Sequence, residues 1–96
     1  MFNVGDKVWV KPQEVLAKMA SSIEDGRYNF PGDLGFYMTK DMVAQAGNKL
    51  TIGSVEKKDK KGRYVYKLRE VDWSWCECWL TNINPYKYPE QFDDKA

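Results

Sequence analysis

The chain contains no histidine. That removes the commonest general base and any Ser-His or Cys-His nucleophile pair. Carboxylates could still do acid-base work, but no pair of them stands out; Asp93 and Asp94 sit in a polar C-terminal stretch where both are expected to be solvated. There is no Walker-type phosphate loop, no dinucleotide fingerprint and no zinc-hydrolase motif. The residues therefore point away from an enzyme, and no catalytic residue is assigned. Cysteine is nearly as scarce: Cys76 and Cys78 are the only two. Two cysteines make no disulfide framework, and an ordinary bond between i and i+2 neighbours on a strand would be strained. A reducing, cytoplasmic setting is the expectation. Cys76-Glu77-Cys78 offers half a zinc site, but a closed structural site wants four ligands, and only a homodimer could supply the rest. Read alone, the pair is two small apolar side chains near a strand end, and neither a metal nor a cofactor is expected. No apolar run approaches the length of a membrane span, and the opening Met-Phe-Asn-Val-Gly-Asp-Lys has no secretory h-region, so neither spanning nor export is expected. The net charge is only +1, which argues against strong global attraction to nucleic acid or anionic membrane.

What the chain does have is aromatics. Its 96 residues make one domain's worth of chain, and a domain that small is marginal unless its core is dense. Fourteen aromatic side chains, among them Trp9, Trp73, Trp75 and Trp79, can supply that density, because each removes a large apolar area from water. A hydrophobic fraction of 43% beside 30% charged residues describes a folded globular chain. Charge is unevenly spread. Residues 56–69 hold seven basic side chains against two acidic ones, a net +5, which leaves −4 for the remainder.

Local patterning predicts a mainly β molecule. Val8 and Val10 alternate with Lys7, Trp9 and Lys11, a period-2 strand that follows Gly5-Asp6 and ends at Pro12. Pro12, Glu14 and the apolar Val15, Leu16, Met19 and Ile23 suggest a short helix. Residues 24–38 read as a loop rich in glycine and proline, yet they carry Tyr28, Phe30, Phe36 and Tyr37. Thr39 has the character of an N-cap, Asp41 falls in the first turn and Gly47 is the stop, with Met42, Val43 and Ala46 as the apolar stripe. Strands are predicted over 49–56 and 63–71, joined by a charged hairpin link, and a third from Trp73. Leu80, Ile83 and Pro85 suggest one final helical turn, and 86–96 reads as a polar, loosely held tail. A sheet so small must close or cover its edges, which favours a barrel.

The phrase Val4-Gly5-Asp6-Lys7-Val8-Trp9-Val10-Lys11, followed by Gly47–Ile52 (numbers 47–52), Tyr64 to Leu68, Trp73-Ser74-Trp75 and Leu80 to Pro85, resembles SH3-like small barrels of an uncharacterised bacterial and bacteriophage type, and more distantly the SH3-like repeats of Mind-bomb proteins. The likeness spans about 60 residues, 4–11 and 39–85. It implies a small antiparallel SH3-like barrel over 1–85, with 12–38 as an inserted loop and one or two short helices. That superfold hosts peptide, nucleic-acid and architectural roles, so the resemblance transfers no catalytic residue.

Three functional readings follow. The first is a non-catalytic protein- or peptide-binding module, a bacterial or phage accessory protein, whose surface joins Trp9, Tyr37 and Trp73. Trp9 lies out of phase with Val8 and Val10, so either the insertion covers it or it belongs to a binding surface. Trp73 and Trp75 share one strand face, with Trp75 assigned to the core. The second is a nucleic-acid-associated protein using Lys57, Lys58, Lys60, Lys61 and Arg63, interleaved with Tyr64 and Tyr66; set against it, such a run is a solvated hairpin tip that keeps an edge from pairing. The third is a self-associating structural protein. The aromatic segment 28–37 is either a partner-recognition loop or an ordered loop pinned by its own rings.

Overall fold

The computed structural model describes residues 1–31, 36–58 and 62–92. In chain order they form β1 (Lys7–Val10), α1 (Gln13–Met19), β2 (Ser22–Glu24), β3 (Arg27–Asn29), β4 (Tyr37–Met38), α2 (Lys40–Val43), β5 (Lys49–Lys58), β6 (Tyr64–Leu68), β7 (Ser74–Cys76) and β8 (Leu80–Thr81), with single 3-10 turns at Glu77–Trp79 and Pro89–Phe92. The strands build two antiparallel sheets. The larger runs β7-β6-β5-β1-β8 and the smaller β2-β3-β4. The fold is thus mainly β with two short helices, as the patterning predicts. The expected closure into a barrel is not found among the described residues. Its two edge strands, β7 and β8, are nevertheless consecutive in the chain and separated only by Glu77–Trp79, so the sheet must curl to bring its edges within one 3-10 turn.

The alternation on β1 holds: Val8 and Val10 are fully buried and Trp9 faces the other way. Val8 pairs with Leu50 and Val10 with Leu80, and with Ile52 and Leu68 these side chains form the centre of the larger sheet's core. Strand β5 is longer than predicted and carries two register shifts, between Ile52 and Ser54 and between Val55 and Lys57. Such bulges bend a strand and raise its twist, which is how a five-stranded sheet curls.

Helix α2 forms as read. The Thr39 hydroxyl accepts from the Met42 amide, and Gly47 takes a φ of +82° that glycine adopts without the penalty of a Cβ. Helix α1 also forms, with the Pro12 carbonyl accepting from the Val15 and Leu16 amides and Leu16 buried. Ile23 does not belong to its stripe; it lies exposed on β2.

Two expectations need correction. The segment 24–38 is not a simple loop: Asp25-Gly26, both at positive φ, turns a tight hairpin in which Glu24 pairs with Arg27, Ile23 with Tyr28 and Ser22 with Asn29, and β4 adds a third strand. An Asp-Gly pair is the standard residue choice for a two-residue type I′ turn, so the signal was present in the sequence. The predicted helical turn at 80–85 does not form: its first two residues are strand β8, preceded by the 3-10 turn, because Leu80 pairs with Val10 and Thr81 with Trp9. Of the C-terminal tail, Pro89–Phe92 is a 3-10 turn, and Asp93 and Asp94 lie outside the described residues. Among the described residues no helix is long and apolar enough to cross a membrane.

Candidate functional site

Aromatic rings join the two sheets. Trp79 is buried beneath both: Phe30 packs on it at 5.2 Å between centroids, Phe36 meets it edge-on at 6.2 Å and Trp75 edge-on at 6.3 Å. Most of the aromatic segment is therefore an anchor, since Tyr28, Phe30 and part of Phe36 are withdrawn from solvent. Tyr37 is the exception. It is 49% exposed on β4, with the Arg27 guanidinium 5.1 Å above its ring.

Trp73 does not continue β7. Its φ of +77° puts a bulky residue in the left-handed region, where a non-glycine side chain costs on the order of 1–3 kcal/mol. The indole remains beside Trp75, edge-on at 6.5 Å, but whereas Trp75 is fully buried Trp73 is 37% exposed. Trp75 is held by a hydrogen bond from its Nε1 to the Asp72 carbonyl at 3.0 Å. The strained bend thus turns one tryptophan outward while its neighbour stays in the core.

Tyr37 and Trp73 line one open groove of about 410 Å³, with Phe36, Met42, Lys67 and Trp79 among the other lining residues. Ser74 at its edge donates a hydrogen bond to the Glu56 carboxylate. The groove is aromatic and flanked by two cations, Lys67 and Arg27. Trp79, which lines it, keeps its indole N–H buried with no acceptor among the described residues.

Trp9, the third member of the expected surface, is not among the residues lining this groove. It stands half-buried on the outward face of β1, opposite Thr81 and Lys49, with the Lys49 ammonium 5.1 Å from its ring centre. One face of the indole is already occupied by a cation of the same molecule, which a lysine over tryptophan satisfies intrinsically.

The basic run divides. Lys57 and Lys58 belong to β5, paired with Val65 and Tyr64. Lys60 and Lys61 lie outside the described residues. Arg63 is half-buried, its guanidinium 5.7 Å from the Phe36 ring.

A larger concavity, about 650 Å³, lies between α1, α2 and the C-terminal segment and is lined in part by Pro12, Val15, Val43, Pro85 and Tyr86. Volume alone does not make it the better site: among the described residues Tyr86 is the one aromatic that lines it, and the hydroxyl of that ring rests where a Cβ on Gly47 would stand. Elsewhere, the Glu70 carboxylate accepts from the Thr51 amide at 2.8 Å and hydroxyl at 2.6 Å, and the Lys7 ammonium donates to the same hydroxyl at 2.7 Å. Partial burial pushes the Glu70 carboxyl up, but the Thr51 hydrogen bonds and the Lys7 charge outweigh it, so its pKa stands below the ordinary value. Among the described residues no three His, Cys, Asp or Glu side chains cluster as metal ligands. No protein-family model, no curated protein and no solved structure matches the chain.

Proposed function

We propose that this protein is a non-catalytic binding module of SH3-like type, and that it seats an extended peptide of a partner protein in the groove between Tyr37 and Trp73. The observation that carries the reading is Trp73: a large aromatic held in a disfavoured backbone conformation, half in solvent, at the rim of an aromatic groove. Backbone strain of this kind concentrates at binding sites, and aromatic anchors supply most interface energy.

The strand order supports the SH3-like part of the proposal. Leaving aside the smaller sheet, the five strands lie fourth-third-second-first-fifth, with a single 3-10 turn between the fourth and fifth, which is the arrangement expected of an SH3-like barrel. The segment 12–38 then occupies the loop between the first and second barrel strands. The charge of the groove favours a peptide that combines apolar residues with a carboxylate, to be met by Lys67 and Arg27. Cysteines outside any disulfide suit the reducing, cytoplasmic setting of a bacterial or phage accessory protein, the source that the resemblance implies.

Peptides selected from a displayed random library against the intact protein provide the test, with affinity followed by tryptophan fluorescence. Trp73→Gly relieves the φ strain while deleting the ring, and Tyr37→Ala removes the opposite wall; each is expected to weaken binding at least tenfold, about 1.4 kcal/mol, without lowering the thermal melt. Equal affinity in wild type and both variants overturns the groove. Selection of nucleic acid in place of peptide, with affinity falling steeply as salt rises, overturns the peptide reading in favour of the basic hairpin. A mass that rises with concentration and is unaffected by peptide assigns the groove to self-association instead.

A further inference from the structure

At the end of β7 the two cysteines come together, at a cavity that shares the Phe36 side chain with the peptide groove. Cys76 ends β7 and is fully buried; Cys78 lies in the following 3-10 turn and is half-buried. Glu77 between them is drawn the other way, because its carboxylate accepts a hydrogen bond from the Tyr66 hydroxyl at 3.1 Å. With the intervening side chain anchored on β6, both sulfurs project to one side and stand 3.2 Å apart, the Cys78 thiol donating to Cys76. Neither is in a disulfide. They open onto a cavity of about 270 Å³ whose lining also includes Met19, Phe30, Phe36 and Arg63.

The donor set of this cavity is unusual. Among the described residues it holds two thiols and a thioether, and no carboxylate lines it. Thiolate and thioether sulfur select soft ions, copper(I) above all, whereas Mg²⁺ and Ca²⁺ need oxygen and structural zinc needs four ligands. Two thiolates around a monovalent ion leave one net negative charge, and Arg63, which lines the same cavity, brings positive charge toward it.

We propose that Cys76, Cys78 and Met19 form a binding site for a soft monovalent metal ion, copper(I) in the cell. Binding is a proton exchange without redox chemistry: each thiol releases its proton to water, two metal–sulfur bonds form, and the Met19 thioether adds a third, neutral donor. With metal–sulfur bonds of about 2.3 Å, a three-coordinate ion would set the sulfurs about 4 Å apart, so the thiols need to part by less than an ångström from their present contact.

The test is an anaerobic titration of the reduced full chain with copper(I) presented as its bicinchoninate complex, whose colour fades as the protein takes the metal. One ion per chain is expected, bound by sulfur. Cys78→Ser, at the half-buried position, should lose on the order of a hundredfold or more, and Met19→Leu roughly tenfold. X-ray absorption of the loaded wild-type protein should show a shell of sulfur alone, which decides the matter even where a cysteine variant fails to fold. No transfer from the chelator, uptake that Cys78→Ser leaves intact, a nitrogen or oxygen shell, or one ion per two chains would each overturn the site.

Discussion

The two sheets are built from the same chemistry and held by different means. In the larger sheet, β5 runs ten residues and β6 five, and their partners reach across the chain, so that Val8, Val10, Leu50 and Ile52 meet as a continuous apolar layer. In the smaller sheet no strand exceeds three residues, and every residue of β2 is exposed. Three such strands carry too little apolar surface to stand alone. What they contribute inward is Tyr28 and Met38 and, just beyond β3, Phe30, and what receives Phe30 is Trp79, in the 3-10 turn between the larger sheet's two edge strands. The smaller sheet is therefore a dependent structure, docked by a few rings, and this dependence explains how one of its residues, Tyr37, can be left outward beside Trp73 without unravelling the core.

If that contrast is right, Trp79→Ala should have the largest effect of any single change. It empties the junction of both sheets, and the loss is expected to be about 3–5 kcal/mol, a large part of the stability of a domain this size. Urea unfolding at neutral pH would measure it. A loss under 1 kcal/mol would mean that the sheets do not depend on this ring.

Phe30→Ala sharpens the comparison, because it removes the anchor from the smaller sheet's side only. A global cost of about 3 kcal/mol or less is expected, with the change concentrated locally. In amide hydrogen exchange, the amides of β3 and β4 should lose protection much more than those of β1 and β5. Equal acceleration everywhere would show one cooperative unit and erase the distinction drawn between the sheets.

The smallest effect belongs wholly to the larger sheet. Glu70 has a folded-state pKa below its ordinary 4.5, so the stability it adds is complete above that value and is lost as pH falls through the lower folded value. Glu70→Gln should flatten the acid limb of stability below about pH 4.5 while leaving the exchange of β3 and β4 unchanged; the side chain is exposed, so the change is expected to be modest. An acid limb identical in wild type and variant would remove Glu70 from the account of the larger sheet.

Much of the larger sheet was legible in the residues. The alternation at Val8 and Val10, the Thr39 cap and Gly47 stop around α2, and Trp75 as a core residue all follow from short-range rules, since side chains two apart on a strand or three to four apart on a helix share a face. The Asp25-Gly26 hairpin was equally available and is hidden chiefly by length: strands of two or three residues are too short for alternation to emerge, and proline and glycine nearby make the stretch resemble a loop.

The candidate sites were less legible. Trp9, Tyr37 and Trp73 were all identifiable as rings without an evident core role, but nothing local separates Trp9, capped by Lys49 on the outer face of β1, from the pair that shares a groove. By itself the sequence determined the composition of the core, the period of its main strands and the absence of histidine chemistry. The tertiary structure alone decided that Trp73 turns outward at a left-handed bend, that Arg63 folds onto Phe36, and that Met19 comes to the cavity of Cys76 and Cys78. The physical reason is range: periodicity sets which face a side chain takes, while the neighbours it meets there come from segments tens of residues away, chosen when the curling sheet brings its edges together around Trp79.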